Sequence, residues 1–150
     1  MTDVAIVELE QLLPGSLTEL VAESEMAGFR FLRRLVDEWA SGSNRFDRAG
    51  EALFAAILGP RVIGVCGLNV ESYAGVPGVG RVRRLYVLST FRQQGIGRRL
   101  VHAVLAAARG RFQVLRLRTE SESAGRFYEA LGFRACPGVT DCTHVLELKG

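Results

Sequence analysis

The chain has 150 residues, a net charge of +3, 48% hydrophobic and 23% charged residues. That length holds one domain with a sizeable core, and the balance excludes an intrinsically disordered chain. Nothing resembles a basic block interleaved with aromatics, so nucleic acid is not an expected partner. No apolar run reaches the roughly 18 residues that span a bilayer, so neither is a membrane.

The N-terminus shows no basic start followed by an apolar stretch, so no signal peptide is expected. Three cysteines make no disulfide framework, and a cytoplasmic protein is the default. Ala5 to Leu9 reads as a first strand, broken by Pro14-Gly15-Ser16. Ser16-Leu17-Thr18-Glu19 fits a capping box. A helical region runs to about Ala40, and its apolar set shifts at Gly28. This predicts two consecutive helices or one kinked helix.

Ala52 to Leu58 and Val62 to Leu68 are apolar runs joined by Gly59-Pro60-Arg61, a hairpin signature. Residues 69–80 hold three glycines and a proline and read as a loop. A strand at Val82 to Val87 precedes a helix at Ile96 to Arg109, whose stripe is Ile96, Leu100, Val104, Leu105 and Ala108. Alternation predicts a strand at Val114 to Thr119. A short helix follows from about Ser123 to Leu131, with Gly132 as its stop. Phe133 to Ala135 and His144 to Leu148 complete the sheet. Cys136, Cys142 and His144 fall short of the four ligands of a structural zinc and fit a hairpin around Pro137-Gly138 better. No repeat or linker appears, so residues 1–150 are expected to form one domain. Strand, glycine turn, helix, strand over Val82 to Thr119 is a crossover that makes two strands parallel. The fold class is therefore α/β (α+β): a mixed, mostly antiparallel sheet with helices on both faces.

The chemistry concentrates at Arg92-Gln93-Gln94-Gly95-Ile96-Gly97-Arg98-Arg99. Two glycines turn the backbone with nothing projecting over it. The first helical turn has unpartnered amides and the positive end of the helix dipole. Together with the arginines this is an anion cradle suited to a pyrophosphate.

Read as Arg92-x-x-Gly95-x-Gly97, the segment resembles the coenzyme A loop of the GNAT acyltransferase superfamily. Ala124-Gly125-Arg126-Phe127-Tyr128-Glu129-Ala130-Leu131-Gly132-Phe133 resembles that family's C-terminal signature. The resemblance is close over roughly Arg81 to Arg134. It implies that the two parallel strands splay apart and admit the pantetheine arm of acetyl-CoA. The arm would lie along the backbone of Leu85, Tyr86 and Val87. Arg92 and the loop Gln93, Gln94, Gly95, Ile96, Gly97 and Arg98 would hold the pyrophosphate, and Ser121 would bond the arm where the family often has asparagine. Tyr128 stands at the family's general acid, with a packing residue as the alternative.

The implied reaction is N-acetyl transfer from acetyl-CoA to an amine of a small molecule or a protein, with room for a homodimer. Many members have a glutamate where this chain has Arg81, so deprotonation is left to ordered water, Glu120, Glu71 or Glu51, unranked. Acidic residues along Leu17 to Ala40, with Glu71, suit a cationic acceptor. Two other readings stand beside this one. A non-catalytic acyl-CoA sensor is compatible with Arg81 and Ser121. A dinucleotide-binding unit is compatible with Gly95-x-Gly97 and Glu120, but has Leu100 where a third small residue belongs.

Overall fold

The computed structural model describes residues 3–13, 15–71 and 77–148. In chain order its elements are β1 (Val4–Glu8), α1 (Thr18–Met26), α2 (Phe31–Ser41), β2 (Ala52–Leu58), β3 (Arg61–Val70), β4 (Val79–Val87), α3 (Ile96–Ala108), β5 (Val114–Leu117), α4 (Glu122–Ala130), β6 (Arg134–Ala135) and β7 (His144–Glu147). A 3-10 turn, Ser89–Phe91, leads from β4 towards α3. The strands form one sheet in the order β1-β2-β3-β4-β5-β7-β6. Only β4 and β5 pair in parallel.

The order follows from local chemistry. Gly59 takes a positive φ in the tight turn and closes β2 on β3. Residues 63–69 of β3 are all buried, as expected of a central strand covered on both faces. One face carries α3, which buries Ile96, Leu100, Val101, Val104, Leu105 and Ala108. The other carries α1 and α2. Gly64 faces Leu100 of α3, while Gly67 lies against the Phe46 ring. The helical region is two helices, separated where Gly28 turns at φ +91°.

Two local expectations are corrected. No capping box forms: Leu17 is the N-cap of α1 without a side-chain bond, and Ser16 Oγ donates backwards to Leu13 O. Glu19 is instead drawn to Arg61, which donates through Nε and Nη2. The loop expected over 69–80 is also shorter, because β3 runs to Val70 and β4 begins at Val79. Asn69 belongs to the strand. Its amide is satisfied by Asn44 and Glu51, so burial leaves it no orphan group. Residues 72–76 of the expected loop, and Pro14 of the expected break, lie outside the described residues.

The C-terminal hairpin brings Cys136 and Cys142 together, their sulfurs 3.0 Å apart. His144 does not join them. Its Nε2 meets Glu129 at 2.8 Å and its Nδ1 meets Thr143 Oγ1 at 3.0 Å. Among the described residues no group of three or more His, Cys, Asp or Glu side chains is placed to hold a metal. No helix among them is long and apolar enough to cross a membrane.

Candidate active site

The parallel pair opens as the resemblance implied. β4 and β5 pair at Val79↔Val114, Gly80↔Leu115 and Arg81↔Arg116, and then part. β4 continues to Val87 with no partner on its β5 side. A cleft of about 560 Å³ fills the gap. Its lining includes Leu85 from β4, Leu117 from β5, Ala124 and Tyr128 from α4, and Phe31 and Arg34 from α2.

A bulge shapes the β4 wall. On the β3 side Gly67 pairs with Arg83 and Val65 pairs with Tyr86, so Arg84 and Leu85 stand against Cys66 alone. Such an insertion leaves one residue out of the ladder and re-aims the strand. Arg84 takes φ +63°, a conformation unusual for a side chain of that size, and strain of this kind clusters at functional sites.

The loop after β4 is a cradle of free donors. Gln93 and Gly95 both have positive φ, +63° and +81°. The first backbone bond into α3 runs from Arg99 N to Gly95 O, and the amides of Gln93 to Arg98 find no acceptor among the described residues. A Cβ built on Gly95 would meet nothing within 4 Å, so the cradle is open there. Gly97 differs: its bare face looks at Phe127 Cζ, 3.5 Å from an ideal Cβ, and at Val87 Cγ2. These are ordinary packing distances, so Gly97 lies where α3 meets α4 and the end of β4. Free amides, a helix start and open space fit a pyrophosphate.

The remaining predicted contacts divide. Leu85 lines the cleft. Tyr86 points away: its hydroxyl donates to Glu23 Oε2 at 2.6 Å, and burial with that bond pushes its pKa up to about 12. Val87 offers little free backbone, because Arg92 Nε donates to its carbonyl at 2.9 Å. Arg92 also lies over the Tyr86 ring, 5.1 Å from its centroid, so it braces the loop. Gln94 bonds Thr90 O, Ile96 is buried, and Arg98 is exposed. Ser121 is the N-cap of α4, accepting from Ala124 N at 3.2 Å. It lines a separate shallow depression with Glu122 and Glu129, not the cleft.

Tyr128 is buried and lines the cleft. Its ring packs edge-on against Phe127 and Phe133, with centroids 5.2 and 5.5 Å away. Its hydroxyl has no hydrogen-bond partner among the described residues, and the residue forms part of the cleft wall. Burial, and secondarily Cys66, raises its pKa, so the phenol keeps its proton at neutral pH.

The carboxylates also separate. Glu71 is buried and paired with Arg81, which donates from Nη1 at 2.6 Å. Arg81 Nη2 donates to Asp141 O as well. Glu51 accepts from Asn69 Nδ2, Val70 N and Arg48 N. Of the three, Glu120 lines the cleft, with Arg118 on its Oε1 at 3.0 Å. Sequence reasoning did not single out the side chains of Arg34, Arg83 and Arg84, which also line the cleft. The signal for the last two was two adjacent arginines interrupting an apolar strand.

The fold, with its splayed strands and open loop, suits an acyltransferase, and comparison with known proteins agrees. Residues 49–135 match the model of the acetyltransferase (GNAT) domain family. A structure from Exiguobacterium sp. 255-15, described as a candidate acetyltransferase, shares 32% identity over 97% of this chain and 93% of its own, with a TM-score of 0.86. A GNAT acetyltransferase from Staphylococcus aureus Mu50 matches at 18% identity, 98% and 100% coverage and TM-score 0.76. A candidate acyl-CoA N-acyltransferase from Klebsiella pneumoniae matches at 18% identity, 97% and 98% coverage and TM-score 0.65. These last two show the fold alone. No curated protein matches significantly. The chain belongs to the GNAT acetyltransferase family and is an acyltransferase. Nothing in the splayed sheet favours the dinucleotide-binding unit.

Proposed function

We propose that the chain, as a single domain, moves an acetyl group from acetyl-CoA to a primary amine. The observation that supports this most is the run of free amides at Gln93 to Arg98, next to a cleft lined by Leu85 and Tyr128. Bound acetyl-CoA supplies an activated acyl carbon with a thiolate leaving group. The protein does the rest. The loop amides hold the pyrophosphate, and the bulged strand at Arg84 and Leu85 guides the arm towards the cleft. The amine nitrogen bonds to the acyl carbon as the carbon–sulfur bond breaks. Tyr128 gives its proton to the departing sulfur; burial raises its pKa, so it enters the step protonated. The amine's proton leaves through water to Glu120, the carboxylate on the cleft wall.

Release of free thiol from acetyl-CoA tests this over a panel of amines. Release that depends on an amine, with the acetylated amine found by mass spectrometry, is expected. Coenzyme A binding with no transfer to any amine would leave the sensor reading in its place.

A further inference from the structure

We infer that the acceptor carries an oxyanion group beside its amine, gripped by Arg34, Arg83 and Arg84 in the cleft. This rests on the acyltransferase reading and names the acceptor class for it.

The cleft wall is basic. Arg34, Arg81, Arg83, Arg84 and Arg118 line it against only Glu120 and Asp141. Two of these arginines are already engaged: Arg81 by Glu71 and Asp141 O, and Arg118 by Asp141 and Glu120. Arg34 and Arg83 have no side-chain hydrogen bond or ion pair to any described residue. Arg84 is half-satisfied. Its Nη2 donates to Glu38 at 3.1 Å, but its buried Nε has no acceptor. The side chain is only 8% exposed. A buried guanidinium N–H without a partner is an unusual cost in a folded protein and marks a group awaiting one. Arg34, Arg83 and Arg84 all line the one cleft, and burial, then the like charge of Arg83, and to a lesser degree Arg34, pull the Arg84 pKa down.

Most of the acidic residues that suited a cationic acceptor are engaged by other groups, and Asp37, exposed on α2, does not line the cleft. Glu19 is held by Arg61 and Glu25 by Arg33. Glu23 is taken by Tyr86 and Ser89, Glu38 by Arg84, and Glu71 by Arg81. The phosphates of coenzyme A do not account for the free guanidinium groups either, because the loop amides that fit them lie outside the cleft lining. The planar fork of a guanidinium matches carboxylate and phosphate alike, so an amine bearing either fits.

The test pairs acceptors that differ in the anion: β-alanine and phosphoethanolamine against ethanolamine, with spermidine as the cationic control. Each is assayed on the wild type and on the Arg34→Gln/Arg83→Gln double variant, and coenzyme A affinity is measured on both by calorimetry. An anionic amine is expected to exceed ethanolamine in kcat/KM by about tenfold or more, as for hydrogen bonds to a charged group. In the double variant that ratio should collapse through a raised acceptor KM. The contrast between β-alanine and phosphoethanolamine says which oxyanion is preferred. Equal or better use of ethanolamine or spermidine overturns the inference, as does an unchanged ratio in the variant. So does refusal of the whole panel by protein that binds coenzyme A. Failure to bind coenzyme A at all would sink the acyltransferase reading and this inference with it.

Discussion

The proposed acid Tyr128 separates packing from chemistry by atom. The ring packs against Phe127 and Phe133, while the hydroxyl has no hydrogen-bond partner among the described residues. Tyr128→Phe therefore keeps the core and removes only the acid. Steady-state kinetics should show turnover reduced by about 10²-fold or more, with the KM for acetyl-CoA little changed. Unaltered turnover, with chemistry rate-limiting, would return the residue to a packing role. Glu120→Gln separates a carboxylate relay from water alone. Turnover should fall at neutral pH, and the deficit should shrink as pH approaches the amine's own pKa, about 10.4 for a lysine-like acceptor. A pH–rate profile superposing on the wild type would remove Glu120 from the mechanism.

Between elements, close approach and charge decide the fit. An ideal Cβ on Gly67 would sit 2.4 Å from Phe46 Cε1 and 2.9 Å from its Cζ. Gly67→Ala should thus displace Phe46 from β3 and lower stability by roughly 1–3 kcal/mol, the usual cost of overpacking. Thermal unfolding reads this directly, and a Tm equal to the wild type would contradict it. Glu23 ties α1 to the end of β4. It accepts from Tyr86 Oη, from Ser89 N at 3.0 Å and from Ser89 Oγ at 2.8 Å. The Tyr86 bond, with the Ser89 bonds and Arg92, holds its pKa below the ordinary 4.5. A carboxylate depressed in the folded state contributes stability above its unfolded pKa and loses it as pH falls through the folded one. Stability should therefore decline below about pH 4.5 in wild type, and Glu23→Gln should flatten that part of the curve. Identical acid limbs would show that the clamp is not linked to folding. This tie was invisible in the sequence, because Glu23 and Ser89 lie far apart along the chain and neither sits in a recognisable motif. Ser16 and Glu19 failed the other way: their spacing fits a local cap, but Arg61 offered Glu19 a charged partner from the neighbouring hairpin.

At the scale of the molecule, the sheet divides where its parallel pair stops, and function gathers in the division. Element order was legible because each strand and helix has its own period and its own glycine or proline boundary. The Gln93 to Arg98 cradle was legible because the backbone makes it. The acceptor side was not. Arg84 reaches the cleft through a bulge that no periodicity announces, and Glu19, Glu25, Glu38 and Glu71 looked free only until their arginine partners were seen. The central claim is that coenzyme A lies on the loop amides with its arm between β4 and β5. Titration of the ¹⁵N-labelled protein with coenzyme A, followed by amide NMR, tests it most directly. The largest shifts should fall on the amides of Gln93 to Arg98 and on Leu85, with α1 little affected. Shifts absent from that loop, or centred on the face between α1 and α2, would contradict the account.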